Sequence, residues 1–194
     1  MRNRNYYIIN GITIYRLLAA PLLVFLIFYH KTDLFKWLLA VSFFTDMIDG
    51  YLARRFKVAS ILGSKLDSIA DDMTIVAAIV GVFVLKPNFI HEEFISILIL
   101  LVLFILQTGL ALIRYHKVSS FHTYFAKLAA LLQGSFLILV FFLAKPLYSL
   151  FYAAALITAI DLIEEIILVI LLPEWEANVK GIYWVMKRKK TNLK

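Results

Sequence analysis

The sequence predicts an all-α, polytopic membrane protein with six transmembrane helices. Of its 194 residues, 62% are hydrophobic and 17% are charged, whereas soluble domains are about half apolar and about a quarter charged. The hydrophobic residues fall into segments of the length that a transmembrane helix needs, roughly 20 residues. In chain order, the predicted spans are 11–29, 34–53, 61–85, 93–114, 121–143 and 147–172.

Short polar breaks such as YHKTD and KPNFIHEE separate these segments. They leave no room for a soluble domain, so a single membrane domain is expected over residues 1–194. The first segment has the basic start of a signal peptide, but its apolar stretch is long and no small-residue cleavage site follows it. We therefore expect a retained first span, preceded by a cytoplasmic segment of residues 1–10.

The distribution of lysine and arginine predicts the orientation of the spans, because short cytoplasmic loops and span ends carry an excess of both residues. With six spans, 16 of the 20 Lys and Arg residues fall on one side. We therefore expect a multi-pass protein of the cell (inner) membrane with both termini in the cytoplasm. The four basic residues on the other side are Lys31, Lys36, Lys86 and Lys145.

Residues 173–194 are expected to form a cytoplasmic basic tail. Trp175, Val179, Ile182 and Met186 recur at helical spacing, and the letters KRKK follow them. This pattern is typical of a helix that lies in the membrane interface with its basic end on lipid headgroups. The alternative is a frayed polar tail.

The net charge is +7, and the chain contains no cysteine. The basic residues are dispersed between apolar segments and concentrated at the carboxyl end, which favours an anionic lipid bilayer over nucleic acid as the partner. The lack of cysteine excludes a disulfide framework and a thiolate metal site. Any metal ligands must therefore be oxygen or imidazole groups.

The stretch DMIDGYLARRFKVASILGSKLDSIADD gathers five aspartates in an otherwise hydrophobic chain. Asp46 and Asp49 lie near the end of the second span, and Asp67 and Asp71 lie near the start of the third. Residues three or four apart share a helix face, and the short turn between the two helices lets these faces meet. The sequence therefore predicts four carboxylates at one membrane depth, at the cytoplasmic face.

Such a cluster needs bound cations, because like charges repel each other and burial disfavours the charged form. Ionisable residues within a membrane are costly and are usually functional. Oxygen ligands without His or Cys suit Mg²⁺, Mn²⁺ or Ca²⁺, and two-metal sites of this kind catalyse phosphoryl transfer. We expect two Mg²⁺ or Mn²⁺ ions, whereas Asp72 is interpreted as an ordinary solvated acid or helix cap.

Residues between the aspartates extend the pattern. Gly50, Ala53 and Gly63 are small enough for a flat or phosphorylated group to approach the backbone, and Arg54 can form a forked contact with a phosphate. The whole stretch reads D-x2-D-G-x2-A-R-x8-G-x3-D-x3-D. It resembles the signature of the CDP-alcohol phosphatidyltransferase family (class I, integral membrane), and the six-span layout and length are similar to that family too.

Members of that family transfer a substituted phosphate from a CDP-linked alcohol to the hydroxyl of an acceptor and release CMP. The resemblance implies CDP-diacylglycerol or another CDP-alcohol as the donor, and a homodimer. It implies that Asp46, Asp49 and Asp67 bind metal and that Asp71 binds metal and acts as the catalytic base. Donor-binding residues implied in the same way are Gly50, Ala53, Arg54, Ser60 and Gly63, with Asn10 and Thr13 of an N-x2-T-x2-R pattern that ends at Arg16 and is similar to the first helix of many members.

The acceptor is expected to be a small polar alcohol. Arg114 and Lys127 are predicted at the cytoplasmic side, where basic groups facing the metal site would suit a phosphorylated acceptor; topology signal or lipid anchoring is the alternative. The stretch FHTYFAKLAALLQGS departs from the G-K-x-K-T pattern typical of phosphatidylglycerophosphate synthases. Glycerol 3-phosphate is nevertheless favoured, because that activity is common in the family.

The sixth span contains the letters IDLIEEI, which place Asp161, Glu164 and Glu165 within about one helix turn of an apolar run. Asp161 and Glu164 share a face. We expect them to face a polar cavity, where they either pair with Arg114 or Lys127 or bind an amine or polyol acceptor. A purely structural salt bridge is the alternative.

Two other functions also use acidic residues in a membrane. Intramembrane prenyltransferases bind a diphosphate through Mg²⁺ and Asp-rich motifs, but they need more spans, separate the motifs widely and lack the G-x2-A-R element. A cation transporter would spread its acids along a pore at several depths, whereas four acids are expected at one level here. The intact aspartates also argue against an inactive scaffold of the same fold.

Overall fold

A computed structural model describes the backbone of residues 4–56 and 61–192 and the side chains of residues 11–46, 48, 66 and 69–188. The regular structure within these ranges is helical, and no strand occurs there. This confirms the prediction of an all-α fold. The described helices are α1 (Arg4–Phe28), α2 (Thr32–Phe56), α3 (Ile61–Leu85), α4 (Pro87–Glu92), α5 (Phe94–Tyr115), α6 (Tyr124–Phe142), α7 (Tyr148–Leu171) and α8 (Ile182–Asn192).

The six long helices α1, α2, α3, α5, α6 and α7 coincide with the six predicted segments to within a few residues at most ends. The first turn of the chain is different, because α1 begins at Arg4 and includes most of the segment expected to precede the first span. The short helix α4 was not predicted. It begins at Pro87, a residue that suits the first position of a helix because its missing N–H would have no partner there.

Among the described residues, three helices are long and apolar enough to cross a membrane. They are Gly11–Phe28 of α1, Phe94–Tyr115 (α5) and Tyr124–Phe142 (α6). Helix α7 has a similar length but carries three acidic residues. These findings support a membrane protein, and the passage of all six long helices through the bilayer stays a prediction.

The chain divides into two compact units. Met1–Ile90 and Leu137–Lys145 form the N-terminal unit, and His91–Phe136 and Pro146–Lys194 form the C-terminal unit. The single domain expected over the whole chain stays a prediction. In the N-terminal unit α1 packs against α2 and α3, and α2 contacts α3; in the C-terminal unit α7 packs against α5 and α8.

Small residues allow α1 and α3 to approach each other closely, as in many membrane helix pairs. The buried alanines are Ala19 and Ala20 on α1, and Ala70, Ala77 and Ala78 on α3.

A Schellman motif turns the chain from α1 into α2. The N–H of Lys31 donates to the carbonyl of Leu26, and the N–H of His30 donates to the carbonyl of Ile27, each at 3.0 Å. His30 adopts the left-handed conformation that this motif requires, with φ 51°. Helix α2 therefore starts only four residues after α1 ends and runs back along it.

The core of the C-terminal unit joins α5, α7, α8 and the loops between them. Its buried residues are Ala111, Phe121, Leu168, Val169, Leu172, Val179 and Val185. Val179 and Val185 belong to the predicted interfacial tail, so part of that tail packs against protein.

The predicted tail helix is wrong at its start, because α8 begins only at Ile182. Asn178 and Gly181 have φ angles of 59° and 139°, which a right-handed helix does not allow. Trp175 lies in the preceding loop, where its indole N–H donates to the carbonyl of Val118 at 3.0 Å. The helix that does form is the basic end of the tail.

Helix α8 is tied to the loop before it by a forked ion pair. Both terminal nitrogens of Arg188 donate to Glu176, each at 2.9 Å. This hydrogen bonding to Glu176 raises the pKa of Arg188 above its ordinary value. The interfacial position of α8 on a bilayer stays a prediction.

Candidate active site

Helices α2 and α3 bring two of the predicted aspartates to the same level. Asp46 stands ten residues before the end of α2 at Phe56, and Asp71 stands ten residues after the start of α3 at Ile61. At about 1.5 Å of rise per residue, Asp46 lies about 15 Å along α2 from Phe56, and Asp71 lies about 15 Å along α3 from Ile61. Since the two helices are in contact, the two carboxylates can meet.

Arg16 of α1 bridges these two carboxylates. Its Nη1 lies 2.9 Å from Oδ1 of Asp46, and its Nη2 contacts Oδ1 of Asp71. The Arg16 side chain is 1% exposed, whereas those of Asp46 and Asp71 are 41% and 34% exposed. We call Arg16, Asp46 and Asp71 the polar centre; its positive charge is buried and its negative charges are accessible.

A buried arginine is stable only when it is paired, because the cost of removing its charge from water is large. The planar guanidinium presents several N–H donors in a fixed fork, so that one arginine can serve two carboxylates at once. A lysine lacks this geometry. The three-helix packing of α1, α2 and α3 therefore depends on this ion pair as well as on the small residues nearby.

The charge of the predicted site is only partly balanced by Arg16. If the four aspartates are ionised, they carry a charge of −4, and Arg16 reduces this to −3. Asp49 and Asp67 lie seven residues before Phe56 and six after Ile61 on α2 and α3, but their side chains are outside the described residues. Binding of cations at this site stays a prediction.

The donor chemistry fits a divalent metal ion. Asp46 and Asp71 offer carboxylate oxygens, which hard cations prefer, and both already contact one cationic group. No set of three His, Cys, Asp or Glu residues able to hold a metal occurs among the described side chains. The side chains of Asp49 and Asp67 are not among them. The convergence of two of the four aspartates is thus observed, and their binding of metal stays a prediction.

Only one of the predicted donor-binding side chains is described. Thr13 lies on α1 three residues before Arg16, so it shares the helix face that carries the polar centre. It is buried, with 4% of its surface exposed. The other predicted donor-binding residues lie outside the described residues or side chains, namely Asn10, Gly50, Ala53, Arg54, Ser60 and Gly63.

The two predicted acceptor-binding residues belong to the C-terminal unit, and both are exposed. The guanidinium carbon of Arg114 lies 6.0 Å from the ring centroid of Tyr115. Nζ of Lys127 lies 5.7 Å from the ring centroid of Tyr124. These cation–π contacts are of modest strength at an exposed position, so both charges remain accessible to a ligand.

The acids of α7 do not pair with Arg114 or Lys127, which corrects one of the expectations from the sequence. Oδ1 of Asp161 accepts a hydrogen bond from the hydroxyl of Thr123 at 2.7 Å. Oε1 of Glu164 accepts the backbone N–H of Ile182 at 3.0 Å, at the start of α8. These two acids therefore tie α7 to the start of α6 and of α8.

Glu165, the third acid of α7, is also hydrogen-bonded within the C-terminal unit. Its Oε2 accepts from the amide nitrogen of Gln107 at 2.6 Å and from the hydroxyl of Ser119 at 3.2 Å. We call Asp161, Glu164 and Glu165 the acidic group. Because the described partners of these acids are neutral donors within the same unit, the structure shows a hydrogen-bonded group here and not the structural salt bridge that was the alternative.

Sequence reasoning missed the part that Arg16 plays. Arg16 ends the N-x2-T-x2-R pattern, and its position in the chain carries a further signal. Arg16 lies twelve residues before the end of α1 at Phe28, well inside an apolar helix. An arginine at such a depth needs an acidic partner, and after Asp33 the next acids along the chain are the aspartates of the D-x2-D stretch.

Comparison with known proteins identifies the family. The model of the CDP-alcohol phosphatidyltransferase family matches residues 6–171, a range that contains the whole polar centre and the acidic group. No solved structure gave a significant match.

Several curated proteins are similar to parts of the chain. A CDP-diacylglycerol–glycerol-3-phosphate 3-phosphatidyltransferase of Rickettsia typhi is 33% identical over 129 residues, which is 64% of this chain and 70% of that protein. One with the same name from Cereibacter sphaeroides is 40% identical over 80 residues, 39% of this chain and 36% of that protein.

A third relative is the cardiolipin synthase (CMP-forming)/mitochondrial hydrolase fusion protein of Schizosaccharomyces pombe. It is 39% identical over 71 residues, 37% of this chain. The matched region spans only 12% of that protein, so the chain corresponds to a small part of it. Together with the family model, these matches show that the chain belongs to the CDP-alcohol phosphatidyltransferase family of enzymes.

Proposed function

We propose that this chain transfers a phosphatidyl group from CDP-diacylglycerol to the hydroxyl of a small polar alcohol and releases CMP. Glycerol 3-phosphate is the proposed acceptor, since the relatives from Rickettsia typhi and Cereibacter sphaeroides are both named for that substrate. The observation that carries the proposal is the meeting of Asp46 and Asp71 at Arg16, within the region that the family model matches.

Asp46, Asp49, Asp67 and Asp71 would hold two Mg²⁺ or Mn²⁺ ions. Such ions, when bound, neutralise the diphosphate of the donor and the charge that develops on the departing CMP. Gly50, Ala53, Arg54, Ser60 and Gly63 would bind the cytidine diphosphate, with Asn10 and Thr13 contributing from α1. The described part of this proposal is the pair of accessible carboxylates on neighbouring helices.

Asp71 would act as the base. In the transfer, the hydroxyl oxygen of the acceptor forms a bond to the phosphorus that carries diacylglycerol. The bond between that phosphorus and the oxygen of CMP breaks, and CMP leaves with the electron pair. Because Arg16 contacts Oδ1 of Asp71, Oδ2 is the atom that would accept the hydroxyl proton.

Arg114 and Lys127 would bind the phosphate of the acceptor. Both are exposed, and charge-assisted hydrogen bonds from arginine and lysine to phosphate are strong. If the acceptor were uncharged, neither residue would have such a role. A phosphorylated acceptor is therefore the hypothesis that substitution of these two residues can test.

The enzyme would cross the inner membrane six times, with both termini and the active site at the cytoplasmic face, and would form a homodimer. Helix α8 would lie on the anionic bilayer surface. In support of this, Tyr183, Trp184 and Met186 are exposed apolar side chains on α8, and basic residues follow them in the sequence. This combination suits the boundary between acyl chains and headgroups.

The test is release of CMP by the purified protein, with CDP-diacylglycerol, Mg²⁺ and a panel of acceptors. The panel contains glycerol 3-phosphate, inositol phosphate, glycerol and serine. It also contains phosphatidylglycerol, because one relative is named a CMP-forming cardiolipin synthase. We expect release with glycerol 3-phosphate, and none after metal chelation.

Two outcomes would contradict this proposal. If no acceptor releases CMP and the protein conducts cations in liposomes, it is a transporter. If instead it consumes a prenyl diphosphate in the presence of Mg²⁺, it is a prenyltransferase.

A further inference from the structure

We infer that Arg16 is a positioning residue for the metal site: it fixes one oxygen of Asp46 and one of Asp71, so that the other faces of both carboxylates are presented to metal ions. This inference rests on the proposed function, since it assumes that Asp46 and Asp71 bind metal. Arg16 itself would touch neither the metal nor the substrate.

The contacts connect three helices through one side chain. Nη1 of Arg16 reaches Oδ1 of Asp46 on α2 at 2.9 Å, and Nη2 reaches Oδ1 of Asp71 on α3. An aspartate side chain has only two side-chain torsions, so a held oxygen largely determines where the other oxygen points. Partners that hold a ligating carboxylate in this way raise metal affinity by about 10- to 100-fold.

The exposure of the three side chains distinguishes positioning from competition. An arginine that took the place of a metal ion would cover the accessible side of the carboxylates. Here the arginine is 1% exposed, and Asp46 and Asp71 are 41% and 34% exposed. The guanidinium therefore approaches both carboxylates from the buried side, and more than one-third of each aspartate side chain stays accessible.

The two roles predict opposite effects of removing the arginine. A competing cation would weaken metal binding, so its loss would tighten that binding. A positioning cation holds together two like charges that would otherwise repel each other and move apart. Its loss would therefore weaken metal binding and raise the metal concentration that the enzyme needs.

The experiment compares Mn²⁺ binding by the full-length wild type, Arg16→Gln and Arg16→Lys in detergent, by isothermal titration calorimetry. The control is Lys36→Gln, which removes the cation of the exposed Asp33–Lys36 pair in the same unit, where Nζ lies 2.5 Å from Oδ1. We expect Arg16→Gln to weaken Mn²⁺ binding about 10-fold or more. Arg16→Lys should weaken Mn²⁺ binding less than Arg16→Gln, because lysine still holds one of the two carboxylates. The control should bind Mn²⁺ as tightly as the wild type.

A second measurement separates positioning from a purely structural role. The Mn²⁺ concentration for half-maximal CMP release should rise in Arg16→Gln by the same factor as the dissociation constant, and excess Mn²⁺ should restore most of kcat. A purely structural arginine would lower the yield of folded protein and leave the Mn²⁺ affinity of the folded fraction unchanged.

Unchanged or tighter Mn²⁺ binding by the Arg16 variants, with normal binding by the wild type, overturns the inference alone. If Arg16→Gln does not fold, Arg16→Lys decides the question by the same criterion. A wild type that binds no Mn²⁺ at all would instead overturn the metal-dependent function proposed above, and this inference with it.

Discussion

The polar centre of the N-terminal unit and the acidic group of the C-terminal unit treat their carboxylates in opposite ways. In the polar centre, Asp46 and Asp71 share a buried arginine and remain more than one-third exposed. In the acidic group, Asp161 is 8% exposed and hydrogen-bonded to the hydroxyl of Thr123. The first arrangement keeps carboxylate surface accessible, and the second places one oxygen of each acid in a hydrogen bond within the protein.

For ligand binding by an acid in a membrane protein, this contrast shows that the partners of the acid matter more than its depth. Both regions place acids on long helices with many apolar residues, and from the sequence both were candidates for ligand binding. A carboxylate whose oxygens are occupied by Thr, Ser, Gln or backbone donors stabilises the fold. A carboxylate that is held by a buried arginine and stays more than one-third exposed can also bind a metal ion or a substrate.

The largest expected effect comes from the base of the polar centre. Asp71→Asn keeps the size of the side chain but removes its charge and its ability to accept the proton. We expect the rate of CMP release to fall by about 10³-fold or more, since a general base contributes about 10²- to 10⁴-fold and a metal ligand is lost as well. Binding of the CDP-lipid should remain largely intact.

The matched control for this variant is Asp72→Asn, in the next residue of α3. Asp72 is exposed and is interpreted as an ordinary solvated acid, so its rate should stay within about twofold of the wild type. Rate and lipid binding are measured with the same purified protein. Normal turnover by Asp71→Asn would remove Asp71 from the base role.

A smaller effect is expected from the acidic group, and on stability only. Asp161→Ala leaves the buried hydroxyl of Thr123 without its acceptor, so the free energy of unfolding should fall by about 1–3 kcal/mol. Asp161→Asn retains an acceptor oxygen and should stay within about 1 kcal/mol of the wild type. The stability of both variants is measured by heating the purified protein and determining the folded fraction by size-exclusion chromatography.

The same two variants test whether the acidic group binds the acceptor. The KM for glycerol 3-phosphate should be unchanged in both variants. A large rise in KM for Asp161→Asn, with normal stability, would make Asp161 an acceptor ligand and end the contrast between the two regions.

The sequence predicted much of the fold because its signals are local. Apolar segments of about 20 residues determine where long helices form, and α2, α3, α5 and α7 have bounds close to the predicted ones. The convergence of Asp46 and Asp71 was also predictable. Asp46 lies ten residues before the end of α2 and Asp71 ten residues after the start of α3, so helix geometry places them at one level when the two helices pack side by side.

The features that were missed depend on contacts between residues far apart in the chain. Arg16 could be recognised as a residue in need of an acid, but α1 first had to pack against both α2 and α3 before one arginine could serve two aspartates. Likewise, Glu165 is hydrogen-bonded to Gln107, 58 residues away. The late start of α8 depends on backbone angles at Asn178 and Gly181, which the helical spacing of the apolar residues did not reveal.

The smallest expected effect is at the edge of the acidic group. Ser119 donates to Oε2 of Glu165 at 3.2 Å, but Gln107 donates to the same oxygen at 2.6 Å. Ser119→Ala removes the bond from Ser119 to Glu165 and the one that Ser119 accepts from the amide nitrogen of Gln107 at 2.6 Å, but Gln107 and Glu165 stay bonded to each other. The free energy of unfolding should therefore fall by only about 0.5–1.5 kcal/mol, because neither remaining side chain is left without a partner. CMP release per folded molecule should not change.

Ser149→Ala, at an exposed serine of α7 in the same unit, is the control for this variant and should be neutral in the same thermal assay. If Ser119→Ala instead costs as much as Asp161→Ala, the hydrogen bonds of Glu165 are not redundant, and the network acts as one cooperative unit. If it slows CMP release at normal stability, the acidic group takes part in the reaction. A neutral-donor network would then be as functional as the ion-paired centre, which is the result most damaging to the contrast between the two regions.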